Sequence, residues 1–144
     1  MEDCPFCNLY KDGERVIVSN SHAWVFPTNI PIVSGHILIS PIRHVAKFED
    51  LDPEEVNAIF DLYKKSKNAL VKSFGAEGFN VAWNESKVAG QSVPHFHMHL
   101  LPRKDGDTGI LEYEPRKFLY RTGERETTPE EELFEIVELI KRNI

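Results

Sequence analysis

The sequence predicts an α+β fold: a single domain in which one antiparallel sheet is packed with two main helices. Three observations carry this. Short runs rich in Val, Ile, Phe and Trp recur between Arg15 and Leu101. Two segments place apolar residues at helical spacing, each behind a capping signal. The order of these elements fits a sheet backed by helices, with no internal repeat and no second domain. At 144 residues, 41% of them hydrophobic, the chain can bury one ordinary core.

In chain order, residues 1–14 read as an N-terminal arm. Val16-Ile17-Val18 and Trp24-Val25-Phe26 read as one or two short strands with a turn at Asn20-Ser21. Pro27 and Pro31 mark a loop. Gly35 leads into His36-Ile37-Leu38-Ile39-Ser40, an interior strand that ends at Pro41. Asp52, Pro53 and Glu55 form a helix start, Val56 to Phe74 carries the apolar side, and Gly75 is the stop. Gly78 to Trp83 reads as a strand, and Asn84 to Gly90 as a polar loop. Val93 to Leu101 reads as a strand of period two, with His95, His97 and His99 on one face and Phe96, Met98 and Leu100 on the other. Lys104 to Gly109 reads as a turn, and residues 110–121 as an extended arm. Thr128, Pro129 and Glu131 repeat the capping device before a last helix containing Leu133 and Val137. Residues 110–144 form a C-terminal extension.

The bulk properties exclude some functions. A net charge of −6 argues against general nucleic-acid binding, which needs a basic footprint. It leaves room for a small phosphate-bearing ligand, which responds to the field of its own site. No apolar run approaches the ~20 residues of a membrane span. The acidic start, Met1-Glu2-Asp3, lacks a signal-peptide pattern, so the expected location is cytoplasmic. Glu130-Glu131-Glu132 reads as a solvated first helical turn.

Two features carry chemistry. Cys4 and Cys7 have zinc-ligand spacing, but a lone pair is an incomplete metal site and could equally be redox-active or idle. The alternating histidines fit a surface or metal patch, a transition-metal site, or phosphoryl and nucleotidyl transfer. Transfer at phosphorus needs an attacking group, donors for the nonbridging oxygens and a proton source, and neutral imidazole is a competent nucleophile near neutral pH. Gly90-Gln91-Ser92 beside them adds a flexible backbone, an amide and a hydroxyl.

The stretch Ala89-Gly90-Gln91-Ser92-Val93-Pro94-His95-Phe96-His97-Met98-His99 resembles the signature of the histidine-triad (HIT) nucleotide hydrolases and transferases. Gly35 to His44 and Phe48 to Val56 are also similar to that family. The ending Leu101-Pro102-Arg103-Lys104 resembles its fragile-histidine-triad, dinucleoside-polyphosphate branch more than its phosphoramidase branch.

The resemblance implies that the chain cleaves dinucleoside polyphosphates at the α-phosphorus, through a nucleotidyl-histidine intermediate, and releases AMP. A phosphorylase, an adenosine phosphoramidate hydrolase and a zinc-stabilised nucleotide-binding module with little turnover are the alternatives. His97 is the implied nucleophile, His99 the implied phosphate donor, and His36 the implied support of the nucleophile. Asn84, Gln91 and Ser92 are implied phosphate contacts. Phe6 and Phe26 are candidates for stacking the adenine. Relatives place an acidic residue or Asn at the position of Thr28 for the ribose, so Asn29 next to it is the candidate here. Relatives with a Cys pair bind a structural zinc, which implies Cys4, Cys7, His44 and His95 as ligands that anchor the arm. No organic cofactor is expected. A homodimer is implied.

Overall fold

The computed structural model describes residues 3–107 and 127–144. The extended arm expected at residues 110–121 lies outside them. Three α-helices occur among the described residues: α1 (Pro5–Asp12), α2 (Pro53–Phe74) and α3 (Glu130–Lys141). Five strands, β1 (Val18–Ser19), β2 (Ala23–Pro27), β3 (Ile37–Pro41), β4 (Gly78–Ala82) and β5 (Met98–Arg103), form one sheet in the order β1-β2-β3-β5-β4. Every pairing is antiparallel. Among the described residues, no helix is long and apolar enough to cross a membrane.

The sheet separates two apolar layers. Ala23, Val25, Ile37, Ile39, Met98 and Leu100 pack on one side with α2 and α3 residues such as Leu62, Leu70 and Val137. Trp24, Phe26 and Leu38 face the other side, where Cys4 and Phe6 of the N-terminal segment cover them. Burial on both faces explains why β2 and β3 read as continuous apolar runs rather than as alternating ones.

The expected arm is thus partly helix, and the helix count is three. Pro5 at the first turn and Gly13 just past the end (φ 78°) are the start and stop signals of α1. Its eight residues are too few to show a sustained apolar period. The last helix starts at Glu130, one residue later than the capping reading required. Pro129 holds the cap position with no side-chain hydrogen bond. The backbone N–H of Thr128 instead donates to the Asn29 carbonyl at 2.7 Å, tying the segment to the loop after β2.

The strand expected from Val93 begins only at Met98. Pro94 brings no N–H, and the His95 N–H folds back onto the Val93 carbonyl at 2.8 Å. The Phe96 N–H donates to Val45, and its carbonyl accepts from Ser40 Oγ at 2.7 Å. One local bond and two tertiary ones therefore replace the ladder and turn His95 away from the strand. At the other end β5 runs through Pro102 to Arg103, where β4 but not β3 pairs with it. A missing donor is tolerated on the unpaired side.

The capping signal before α2 also serves the sheet. The Asp52 N–H donates to Glu55 Oε1 at 2.8 Å, and Arg43 grips both Glu55 oxygens at 2.7 and 3.1 Å. Burial opposes the Glu55 charge, yet the Arg43 guanidinium and the Asp52 N–H hold its carboxyl below the ordinary carboxylate value. A depressed folded value contributes stability above the unfolded pKa of about 4.3 and loses it as pH falls through the folded value. Glu55→Gln is therefore expected to lose about 1 kcal/mol at pH 7, a modest figure because Arg43 is half exposed. Its deficit against the parent should shrink as pH drops below about 4 in denaturant titrations. A deficit independent of pH would remove the charge from the account.

Candidate functional site

A cleft of about 220 Å³ opens on the α1 side of the sheet. Its floor follows from register: Phe26 lies opposite Leu38, and Leu38 opposite His99, so one row of side chains crosses three strands. Phe6 of α1 forms a wall, its ring 5.0 Å from Phe26 and 5.0 Å from His97, both edge-on. Gly90, Ser92 and Val93 form the rim beside the histidines.

The three histidines of the motif divide between two centres. His97 and His99 line the cleft with His36, whereas His95 is fully buried behind it. Hydrogen-bond partners fix the tautomers of the neutral rings, because a carbonyl only accepts and a backbone N–H only donates. His97 Nδ1 is 2.8 Å from the His95 carbonyl, so Nδ1 carries the proton and Nε2 the lone pair. Burial lowers the His97 pKa against the opposing effect of that bond, which keeps the ring neutral at neutral pH. His36 Nδ1 accepts from the Ile32 N–H at 3.1 Å. Its Nε2–H then donates to His99 Nδ1 at 2.9 Å, which leaves the proton of His99 on Nε2. The cleft therefore holds one imidazole with a lone pair at Nε2 and one with an N–H at Nε2. His36, which the sequence analysis expects to support His97, hydrogen-bonds to His99.

Gly35, at φ 89°, delivers His36 to this position. A Cβ there would lie 2.9 Å from Pro102 and 3.0 Å from Phe74, so the backbone passes β5 more closely than any other residue type allows.

The remaining candidates take two kinds of position. Ser92, Phe6, Phe26 and Asn29 line the cleft. Gln91 and Asn84 are not in its lining and instead brace the loop that forms its rim. Gln91 accepts from the Ser86 N–H and donates to the Ala46 carbonyl, both at 3.0 Å. Asn84 Nδ2 donates to the Ala89 carbonyl at 2.6 Å. This loop also holds Ser86 at φ 71° and Gly90 at φ 96°, a strained path that needs such props. The sequence reading missed Arg15, Ile32 and Leu38 in the lining. Leu38 was accessible from strand alternation with His36; nothing in the sequence marks Arg15.

Behind the cleft, Cys4, Cys7, His44 and His95 bring one donor atom each to within 4.8 Å of one another. The Cys4 Sγ to His95 Nδ1, Cys7 Sγ to His95 Nδ1 and Cys7 Sγ to His44 Nδ1 distances are 3.4, 3.6 and 3.7 Å. A tetrahedral ion held at about 2.0 to 2.3 Å gives donor spacings of about 3.3 to 3.8 Å. His95 Nε2 donates to the Pro41 carbonyl at 2.8 Å, which leaves Nδ1 as the ligand atom. Burial pushes the His95 pKa down to about 4, so the ring is neutral as a ligand must be. Burial also raises the Cys7 thiol, and the neighbouring Cys4 raises it further, so two adjacent thiolates call for a cation. The donor set fits a metal ion. Arg43, gripping Glu55, steadies the loop that carries His44.

Residues 11–106 match the HIT domain. The chain is 35% identical over 104 residues to the nitrilase and fragile histidine triad fusion protein NitFhit of Caenorhabditis elegans, covering 72% of this chain but 24% of that protein. An uncharacterised HIT-like protein of Methanocaldococcus jannaschii is 32% identical, with 76% and 86% covered. The crystal structure of Plasmodium falciparum diadenosine triphosphate hydrolase superposes with a TM-score of 0.73 at 27% identity, covering 90% of this chain and 75% of that one.

Proposed function

Because this chain belongs to the HIT family, we propose that it is a nucleotide hydrolase of the dinucleoside-polyphosphate type that works through a nucleotidyl-histidine intermediate. The observation that carries the proposal is the opposed tautomers of His97 and His99 in one cleft. His97 Nε2 attacks the α-phosphorus. A P–N bond forms, and the P–O bond to the departing nucleotide breaks. His99 Nε2–H hydrogen-bonds to a nonbridging oxygen as charge builds there. Water then attacks the same phosphorus, the P–N bond breaks, and AMP leaves. His36 holds the His99 tautomer. Phe6 and Phe26 give the adenine an aromatic wall. Gln91 and Asn84 hold the loop that presents Ser92 to phosphate.

The ion of the cysteine–histidine centre is zinc in this reading, and its role is structural. When bound it ties α1 to the loop after β3. With His95 committed to it, the leaving group takes its proton from water or from another cleft donor. We carry the homodimer and the cytoplasmic location as parts of the same proposal.

Product analysis tests it. Purified protein is incubated with diadenosine triphosphate, diadenosine tetraphosphate and adenosine phosphoramidate, with and without inorganic phosphate. AMP plus the complementary nucleotide from a dinucleotide is expected. ADP in place of AMP, only with phosphate present, would make the protein a phosphorylase. Cleavage of the phosphoramidate alone would move it to the other branch. Nucleotide binding with no turnover in any lane would leave a binding module.

A further inference from the structure

Arg15 sits in the wall of the cleft, and among the described lining residues it is the sole Lys, Arg, Asp or Glu. Its side chain is 20% exposed. Its one ion pair among the described residues, to Glu130, is long at 3.8 Å, and the Glu130 side chain is 65% exposed. Such a contact is screened by water and worth little. A guanidinium offers five donors and no acceptor, so its natural partner is an anion held by two parallel bonds.

The position of Arg15 is set by the fold. Gly13 ends α1, and the Val16 N–H closes a turn onto the Gly13 carbonyl at 3.4 Å, with Arg15 at its tip. The cleft floor runs from His99 on β5 through Leu38 and Phe26, and Arg15 comes just before β1, beyond β2. Three strand spacings, about 14 Å, separate the backbones at the two ends, and the long Arg15 side chain covers part of that span. Thr28 lies at the same end. It is buried, and its Oγ1 accepts the Ile30 N–H at 3.3 Å, which leaves its own O–H to donate. The two side chains together present donors. A ribose diol can accept from these donors only as a neutral group, whereas a phosphate offers charge and oxygens spaced for the guanidinium fork.

We propose that Arg15 and Thr28 form a second anion subsite, and that the favoured ligand is a nucleotide with an additional phosphate on its ribose. The proposal rests on the nucleotide reading above. With a 5′-phosphate at His97 and His99 and the base against Phe6 and Phe26, a 2′- or 3′-phosphate extends toward Arg15. Pairing with it replaces the exposed Glu130 contact with a desolvated, bidentate one.

Calorimetric titration of the protein with AMP, GMP, adenosine 2′,5′-bisphosphate and adenosine 3′,5′-bisphosphate tests this. One bisphosphate is expected to bind about tenfold or more tighter than AMP. Arg15→Gln should bring the affinity for that bisphosphate down to the variant's own affinity for AMP, and a melting curve like the parent's shows that the variant is folded. Arg15→Lys, with the charge but not the fork, should keep part of it. Equal affinity for AMP and both bisphosphates, or an advantage that survives Arg15→Gln, overturns the subsite. A GMP preference that Arg15→Gln abolishes, with no bisphosphate advantage, makes Arg15 a base contact and also overturns it. Failure of every nucleotide to bind would instead remove the reading on which the subsite rests.

Discussion

Replacing His97 with alanine is expected to lower the rate of AMP release by about 10,000-fold or more, with the fold kept. The size follows from the division of labour in the cleft. His97 combines a lone pair directed away from its backbone partner, the His95 carbonyl, with a ring kept neutral by burial. His99 bears its proton on the other nitrogen and cannot take over the attack without dismantling its bond to His36. What the variant loses structurally is small: one hydrogen bond to the His95 carbonyl and edge contacts with Phe6 and His99. That amounts to about 1 to 2 kcal/mol, a shift of a few degrees in Tm. Single-turnover release of AMP and a melting curve on the same preparation check both halves. Turnover near the parent rate would take His97 out of the mechanism.

Loss of the metal centre is expected to have the largest effect on stability. A helix of eight residues is not stable on its own, so α1 depends on what fastens it. Two of its fastenings are Cys4, at its cap, and Cys7, in its first turn. Cys4→Ala should reduce the zinc content from one ion per chain to a small fraction. It should lower Tm by about 10 °C, taking a loss of about 3 kcal/mol and a few degrees per kcal/mol for a chain of this size. A strong chelator should lower the parent's Tm by a similar amount and leave the variant's nearly unchanged. Elemental analysis with calorimetric melting decides it. An unchanged Tm with unchanged metal content would contradict the structural role.

The parts of this molecule that were legible in the sequence are those with a strong local signal. Burial on both faces made β2 and all of β3 but Ser40 apolar, and a capping box announced α2. What escaped depended on tertiary bonds. The lead-in to β5 looks like strand by alternation, but Ser40 and Val45 take its backbone groups and bend it. Gln91 reads as a ligand contact because it neighbours the histidines, yet both ends of its amide meet protein backbone. The partner of His36 could not be inferred from spacing, since 63 residues separate it from His99. Arg15 carries no pattern, because only the turn after α1 brings it to the cleft.

His95 belongs to both centres at once. Its ring faces the cysteines, and its carbonyl takes the proton of His97 Nδ1. Linkage then imposes a reciprocity. Whatever factor the ion contributes to nucleotide affinity, bound nucleotide must contribute to the affinity for the ion. Where that factor exceeds one, copies with nucleotide in the cleft would hold the ion longest when it is scarce, and the ligand would protect the metal centre as the metal centre protects the fold.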